Sequence, residues 1–170
     1  MKRDYKVIFL IGYPGCGKST IGKKLSKITG FKYYDIDEEI EKYEQMSIPN
    51  IFRTYGIKTF RRIEKEALEI VISTINLEKE DCIIATGGGL ACSHDNLSIL
   101  KGNGTVVYIK CGFWKLFWRL FFNWSRPNFR NKFTLYWKLK QKHIERESYY
   151  RSADFYIDDI DDLVMNLPYL

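Results

Sequence analysis

The chain reads as an α/β protein, a parallel sheet with helices on both faces, and three observations lead there. Short apolar runs of strand length alternate along the sequence with longer stretches of helical periodicity. A complete phosphate-binding loop of the form G-x-x-x-x-G-K-[ST] joins the first such run to the first helical stretch. Three strand-to-helix turns, 12–19, 35–38 and 86–90, carry glycine or acidic chemistry, and ligands on such sheets gather at the carboxyl ends of the strands.

The first strand candidate, 5–11, holds the buried-type run Val7-Ile8-Phe9-Leu10-Ile11 and runs into Gly12-Tyr13-Pro14-Gly15-Cys16-Gly17-Lys18-Ser19. In a loop of this kind the glycines let backbone N–H groups turn inward around the β- and γ-phosphates. Lys18 supplies a point charge, and Ser19 offers a hydroxyl to Mg²⁺. Ile21, Leu25 and Ile28 then recur at helical spacing, and Gly30 is a stop signal. A plain glycine-rich turn between core elements is the bland alternative. The strand, loop and helix come in the order the mechanism requires, so a nucleoside triphosphate is the expected ligand.

A second strand is expected at 32–36, closing on Tyr34-Asp35-Ile36-Asp37. Alternation along a strand puts Asp35 and Asp37 on one side, near the phosphate loop. Phosphoryl transfer needs one carboxylate near the metal and one oriented toward the attacking hydroxyl. The competing reading makes Asp37 a cap for a helix beginning at Glu38.

The longest helical pattern runs from about Lys58 to Ile75, with Phe60, Ile63, Ala67, Ile70, Val71 and Thr74 as its stripe. Arg61 and Glu64 stand three apart on it. A surface ion pair is the ordinary account. The functional one has Glu64 holding the Arg61 guanidinium rigid for a bidentate grip on a carboxylate. Thr86-Gly87-Gly88-Gly89 follows the strand candidate 82–86, and three consecutive glycines suit close approach of a ligand to backbone N–H groups, or a simple flexible turn.

Beyond the strand candidate 105–109, residues 113–137 pack eleven aromatics into 25 positions. A helix through 113–123 would carry an apolar face at 114, 117, 118, 121 and 122, ordinary core spacing; interleaved aromatics and arginines also suit stacking on single-stranded nucleic acid. Ser125-Arg126-Pro127 lies in a polar break, where a mobile loop could bring an arginine to a transferring phosphoryl group. Arg119 lies seven residues earlier. A weaker strand is expected at 154–157.

A length of 170 residues suits one domain, and no run approaches the roughly 18 apolar residues of a membrane span. Met1-Lys2-Arg3-Asp4 passes straight into the first strand candidate, so a signal peptide is not expected. Cys16, Cys82, Cys92 and Cys111 lack metal-ligand spacing, and free thiols in a reducing cytoplasm are expected. Net charge is +6, with twelve Lys/Arg against two Glu in 101–151 and five Asp without a base in 152–170. Such a basic segment suits nucleic acid or several phosphates together with an anionic substrate; the acidic tail favours the latter.

Together these motifs resemble shikimate kinase, over roughly 7–157. The likeness takes in the phosphate loop, the Asp-x-Asp strand end, Ser47-Ile48-x-x-Ile51-Phe52, Phe60-Arg61-Arg62-x-Glu64, the triple glycine, Arg126-Pro127, and Arg146-x-x-x-Tyr150 before Ala153-Asp154. The resemblance implies a three-layer P-loop kinase fold with a five-stranded parallel sheet of order 2-3-1-4-5. One domain would span 1–170, with a substrate-binding region at about 37–62 and a lid at about 120–134. It implies ATP and Mg²⁺, with shikimate as the phosphoryl acceptor. Gly15, Cys16, Gly17, Lys18, Ser19 and Thr20 resemble the ATP cradle, with Ser19 and Asp35 at the metal. Asp37 looks like the residue that binds the ring hydroxyls and orients the 3-hydroxyl. Arg61 and Arg146 look like the carboxylate clamp, Gly87, Gly88 and Gly89 like the substrate-side turn, Arg126 like the lid arginine and Arg119 like a nucleotide-side arginine. Lys18, Asp37 and Arg126 are thus the expected catalytic set.

Ser148 stands where the family often has proline, and the 158–162 segment is acidic where a basic or proline-containing loop often borders adenine. A cytoplasmic monomer acting on small molecules is expected, with neither nucleic acid nor a membrane as partner. The rival readings are a related small-molecule kinase such as one for gluconate, a non-catalytic nucleotide-binding relative, and a nucleic-acid-binding P-loop protein.

Overall fold

The computed structural model describes residues 4–93, 95–122 and 132–169. Its strands are β1 (Val7–Ile11), β2 (Lys32–Asp35), β3 (Cys82–Ala85), β4 (Thr105–Ile109) and β5 (Phe155–Ile157). They form one five-stranded sheet of order β2-β3-β1-β4-β5. Every pairing is parallel, with Phe9 opposite Ile84 on one side and Val106 on the other. The expected order is therefore present. All five residues of β1 and all four of β3 are buried, as continuous apolar strands covered on both faces must be.

Helices α1 (Lys18–Thr29), α2 (Ile36–Glu44), α3 (Ile48–Glu78), α4 (Asn96–Asn103), α5 (Phe113–Phe122), α6 (Lys132–Tyr150) and α7 (Ile160–Asn166) surround the sheet. Gly30 ends α1 in the left-handed region, its N–H donating to the Ser26 carbonyl, as its position predicted.

Three details differ from the sequence expectation. β2 stops at Asp35 and α2 begins at Ile36, so Asp37 lies in the first turn of a helix and not on a strand. The cap is Asp35, whose carboxylate accepts from the Asp37 N–H at 3.0 Å. Second, α3 begins at Ile48, ten residues earlier than its apolar stripe suggests, and is broken at Gly56 (φ 74°, ψ 177°). Its buried stripe contains Phe60, Ile63, Ala67 and Val71 as expected, but Glu64, Leu68 and Ile75 complete it while Ile70 faces solvent. A 3.6-residue repeat continues 60, 64, 67, 71, 75, and residue 70 falls off that line whatever its hydropathy.

Third, α5 turns its aliphatic residues inward. Leu116 and Leu120 are buried, Phe113, Phe117 and Phe121 pack partly against the core, and Trp114 and Trp118 are exposed. The expected face therefore holds at 117 and 121 and fails at 114 and 118, and the side chain at 122 lies outside the described residues. None of the helices among the described residues is long and apolar enough to cross a membrane.

Candidate active site

The phosphate loop leaves the buried end of β1 and enters α1 at Gly17, the N-cap, whose φ of 110° only glycine adopts without strain. No side chain caps this helix, and no acidic residue sits in its first turn. Its positive end and free N–H groups are thus uncompensated, which makes an anion site. Lys18 is buried, and its ammonium donates to the carbonyls of Gly12 (2.9 Å) and Tyr13 (3.0 Å). From α5, Arg119 donates to the carbonyls of Gly15 (3.3 Å) and Cys16 (3.2 Å), so it lies against the loop.

Asp35, at the end of β2, accepts from the Ser19 hydroxyl at 2.6 Å and from the Tyr33 hydroxyl at 3.0 Å. Burial, followed by the negative charge of Asp35, raises the Tyr33 pKa far enough to keep it a donor. The hydroxyl and carboxylate expected at a nucleotide-bound cation are therefore adjacent. Two hard oxygen donors suit Mg²⁺, which retains several waters and phosphate oxygens. Among the described residues no cluster of three or more potential ligands forms an all-protein cage.

The glycine turn after β3 is the meeting point of the other side chains. A methyl group on Gly87 would lie 2.5 Å from Glu64 Oε1 and 2.8 Å from Asp37 Oδ1. One on Gly88 would lie 2.7 Å from the backbone nitrogen of Pro14, and one on Gly89 would lie 2.9 Å from the centre of the Arg61 guanidinium. Only residues without a Cβ permit this approach. Arg61 donates to Glu64, as the three-residue spacing suggested, but the pair is no surface feature, since Glu64 is 1% exposed. Burial pushes the Glu64 carboxyl above its ordinary range; the Arg61 charge and hydrogen bond oppose this and the Asp37 charge adds to it. Arg146, on α6, donates to the Gly88 carbonyl at 2.5 Å, and Tyr150 donates to the same oxygen at 2.6 Å. α6 continues unbroken past Ser148, the position where the family often has proline.

A cleft of about 590 Å³ runs over this edge of the sheet, lined by the loop from Pro14 to Ile21 and by Asp37, Thr86, Gly88 and Arg119. Arg61 and Arg146 are not in its lining; they meet the turn at Gly89 and Gly88. Arg126 and most of the expected lid lie outside the described residues. The far end of the cleft is lined by Asp158, Asp159 and Ile160, from the acidic segment noted in the sequence, and by Lys110 and Lys115, which the sequence reading did not single out. They follow β4 and β5, so the strand-end rule that nominated the first three turns would have found them. Asp159 caps α7, accepting from the Asp161 N–H at 3.0 Å and the Asp162 N–H at 3.1 Å.

A family model described as shikimate kinase matches residues 14–166. The chain is 36% identical over 150 residues to a shikimate kinase of Persephonella marina, covering 88% of this chain and 87% of that protein. A crystal structure of shikimate kinase from Aquifex aeolicus superposes with a TM-score of 0.80 at 32% identity, covering 95% of this chain and 96% of the other. The Acinetobacter baumannii shikimate kinase, in complex with shikimate, superposes with a TM-score of 0.86 at 28% identity, covering 98% and 94%.

Proposed function

This chain belongs to the shikimate kinase family and is an ATP-dependent phosphotransferase, and we propose that its cleft transfers the γ-phosphoryl group of ATP to the 3-hydroxyl of shikimate, giving shikimate 3-phosphate and ADP. The observation that carries this reading is the glycine turn. Pro14 of the phosphate loop packs on Gly88 while Asp37, Glu64, Arg61 and Arg146 reach the same three glycines. A terminal phosphate and a small hydroxylated acid can therefore meet over one edge of the sheet.

In this reading the α1 N-terminus and the N–H groups of Gly15 to Thr20 cradle the phosphates, and Lys18 places a positive charge beside the migrating group. Arg119 adds charge on the nucleotide side, and Arg126 does so from the lid. Asp37 accepts from the attacking hydroxyl and aims it along the line of transfer. Arg61, braced by Glu64, and Arg146, braced on the Gly88 carbonyl, hold the acid's carboxylate by planar paired hydrogen bonds. Gly87, Gly88 and Gly89 give the ring room against the backbone. Magnesium bound by the Ser19 hydroxyl and the Asp35 carboxylate would neutralise phosphate charge.

The proposed kinase is one domain over 1–170, with a substrate region at about 37–62 and a lid at about 120–134. It is proposed to act as a monomer. A cytoplasmic setting is part of the same proposal. The test is a coupled assay with ATP and a panel of shikimate, gluconate and nucleoside monophosphates. Turnover confined to shikimate is expected; preferential turnover of another member of the panel overturns the reading.

A further inference from the structure

Tyr13, the second residue of the phosphate loop, is 1% exposed and does not line the cleft. Its hydroxyl reaches α6, where its one proton is shared between the main-chain carbonyl of His143 (2.9 Å) and Glu147 Oε2 (3.0 Å), and its oxygen is in hydrogen-bond contact with His143 Nδ1. Its ring stands edge-on to those of His143 and Tyr150, each with centroids 4.7 Å away. Residues 143, 146, 147 and 150 occupy one face of α6 by their i, i+3, i+4, i+7 spacing. The same helix face therefore carries the three residues that touch Tyr13 and the two, Arg146 and Tyr150, that bond the Gly88 carbonyl.

We propose that Tyr13 is a positioning residue for the acid substrate, its hydroxyl fixing the register of α6 against the phosphate loop so that Arg146 is presented at the glycine turn. This rests on the carboxylate-clamp reading of Arg146 and extends it to a residue outside the clamp. The link is physical at each step. The loop is rooted in the central strand, whose burial makes it the least deformable element. α6 meets the core through buried Leu139 near its middle and Tyr150 at its end, whose ring stacks on Tyr108 of β4. A hydrogen-bonded tyrosine between the two converts a general apolar contact into a directional one. A guanidinium gripping a planar carboxylate responds to such direction, because two parallel bonds weaken together when the helix turns. Glu147 belongs to the same joint. Burial acts to raise its pKa, but hydrogen bonds from Arg151 and Tyr13 outweigh it and hold the carboxylate below its ordinary range, ionised to receive the hydroxyl.

A purely space-filling role for Tyr13 predicts something different. Phenylalanine would then serve as well in catalysis, with at most a lower melting temperature. The test compares Tyr13→Phe, Glu147→Gln and the double variant with the unaltered enzyme. KM for shikimate, KM for ATP, kcat and melting temperature are read for each. Loss of one directional hydrogen bond is expected to raise KM for shikimate in Tyr13→Phe by about five- to tenfold. KM for ATP should stay within about twofold. The double variant should be no worse than about the larger single effect, because both substitutions cut one joint.

An unchanged KM for shikimate in Tyr13→Phe overturns the proposal, as does an equal rise in both KM values, which would mark a damaged phosphate loop. Fully additive effects of the two substitutions also overturn it. Glu147→Gln, on a half-exposed side chain, keeps the question open to measurement if the tyrosine variant folds poorly. If the unaltered protein phosphorylates shikimate while the variants show no KM split, only this inference falls. If the unaltered protein neither binds nor phosphorylates shikimate, the functional reading falls and takes the inference with it.

Discussion

Arg61 donates to Glu64 within an ion pair whose acid is buried and whose base lies against Gly89. The charge of Glu64 is costly there. Burial raises its carboxyl pKa, and the adjoining guanidinium only partly offsets this. A buried pair of this kind is weak support for stability. It makes better sense as a device that spends stability to hold a guanidinium in one orientation.

That cost gives a pH dependence. The folded state holds the Glu64 proton more tightly than the unfolded chain does. Protonation therefore contributes stability at low pH, and this is lost as pH rises through the folded-state value. Activity runs the other way, since the ionised carboxylate braces Arg61. kcat/KM for shikimate should fall, through a rising KM, as pH drops through a value above the ordinary 4.5. Glu64→Gln should remove that limb and start from a higher KM; a limb unchanged by the substitution would detach it from Glu64.

Arg61→Lys keeps the charge but cannot form a planar two-bond grip. KM for shikimate should rise by roughly tenfold or more, in line with loss of a charge-assisted hydrogen bond, while KM for ATP stays near its original value. Steady-state kinetics with each substrate varied in turn checks both halves.

Asp37→Asn removes the carboxylate from the first turn of α2 without changing its size. If Asp37 orients and accepts from the attacking hydroxyl, kcat should fall by about 10²- to 10⁴-fold. Equilibrium binding of ATP should be little altered, since Asp35 and not Asp37 bonds Ser19. A retained kcat would remove Asp37 from the chemistry.

Lys18→Met removes the positive charge proposed to stand beside the transferring group. A fall in kcat of about 10²- to 10³-fold is expected, the scale seen on removing one preorganised charge stabiliser. Single-turnover phosphate transfer measures this directly.

The centre of the sheet was legible because β1, β3 and β4 are buried almost throughout and read as unbroken apolar runs, while the edge strands β2 and β5 are only partly buried and gave a weaker signal. The phosphate loop was legible because its spacing is mechanical. Asp35 and Asp37 were placed near the loop correctly but for an incorrect reason, since strand alternation stops at Asp35. Sequence shows that a helix cap falls in this stretch, but choosing between Asp35 and Asp37 requires knowing where β3 stops pairing. Aromatic residues on α5 misled because hydropathy does not distinguish a ring that packs from one that faces water; two leucines took the inner positions. Glu64 is the opposite case, a charge inside an apolar stripe, intelligible only once Arg61 and Gly87 surround it. Tyr13 could not have been read at all, because its partners lie 130 and 134 residues away.

β1 sits in the middle of the sheet with every residue shielded, whereas β2 lies at its edge and leads directly into α2, which bears Asp37, proposed above to bind the acid substrate. Local opening starts where backbone protection is poorest. Under mild denaturant, affinity for the nucleotide should thus outlast affinity for the acid, and slow amide exchange should persist longest in the strand that feeds the phosphate cradle. The enzyme would lose its choice of acceptor before it lost its grip on the donor.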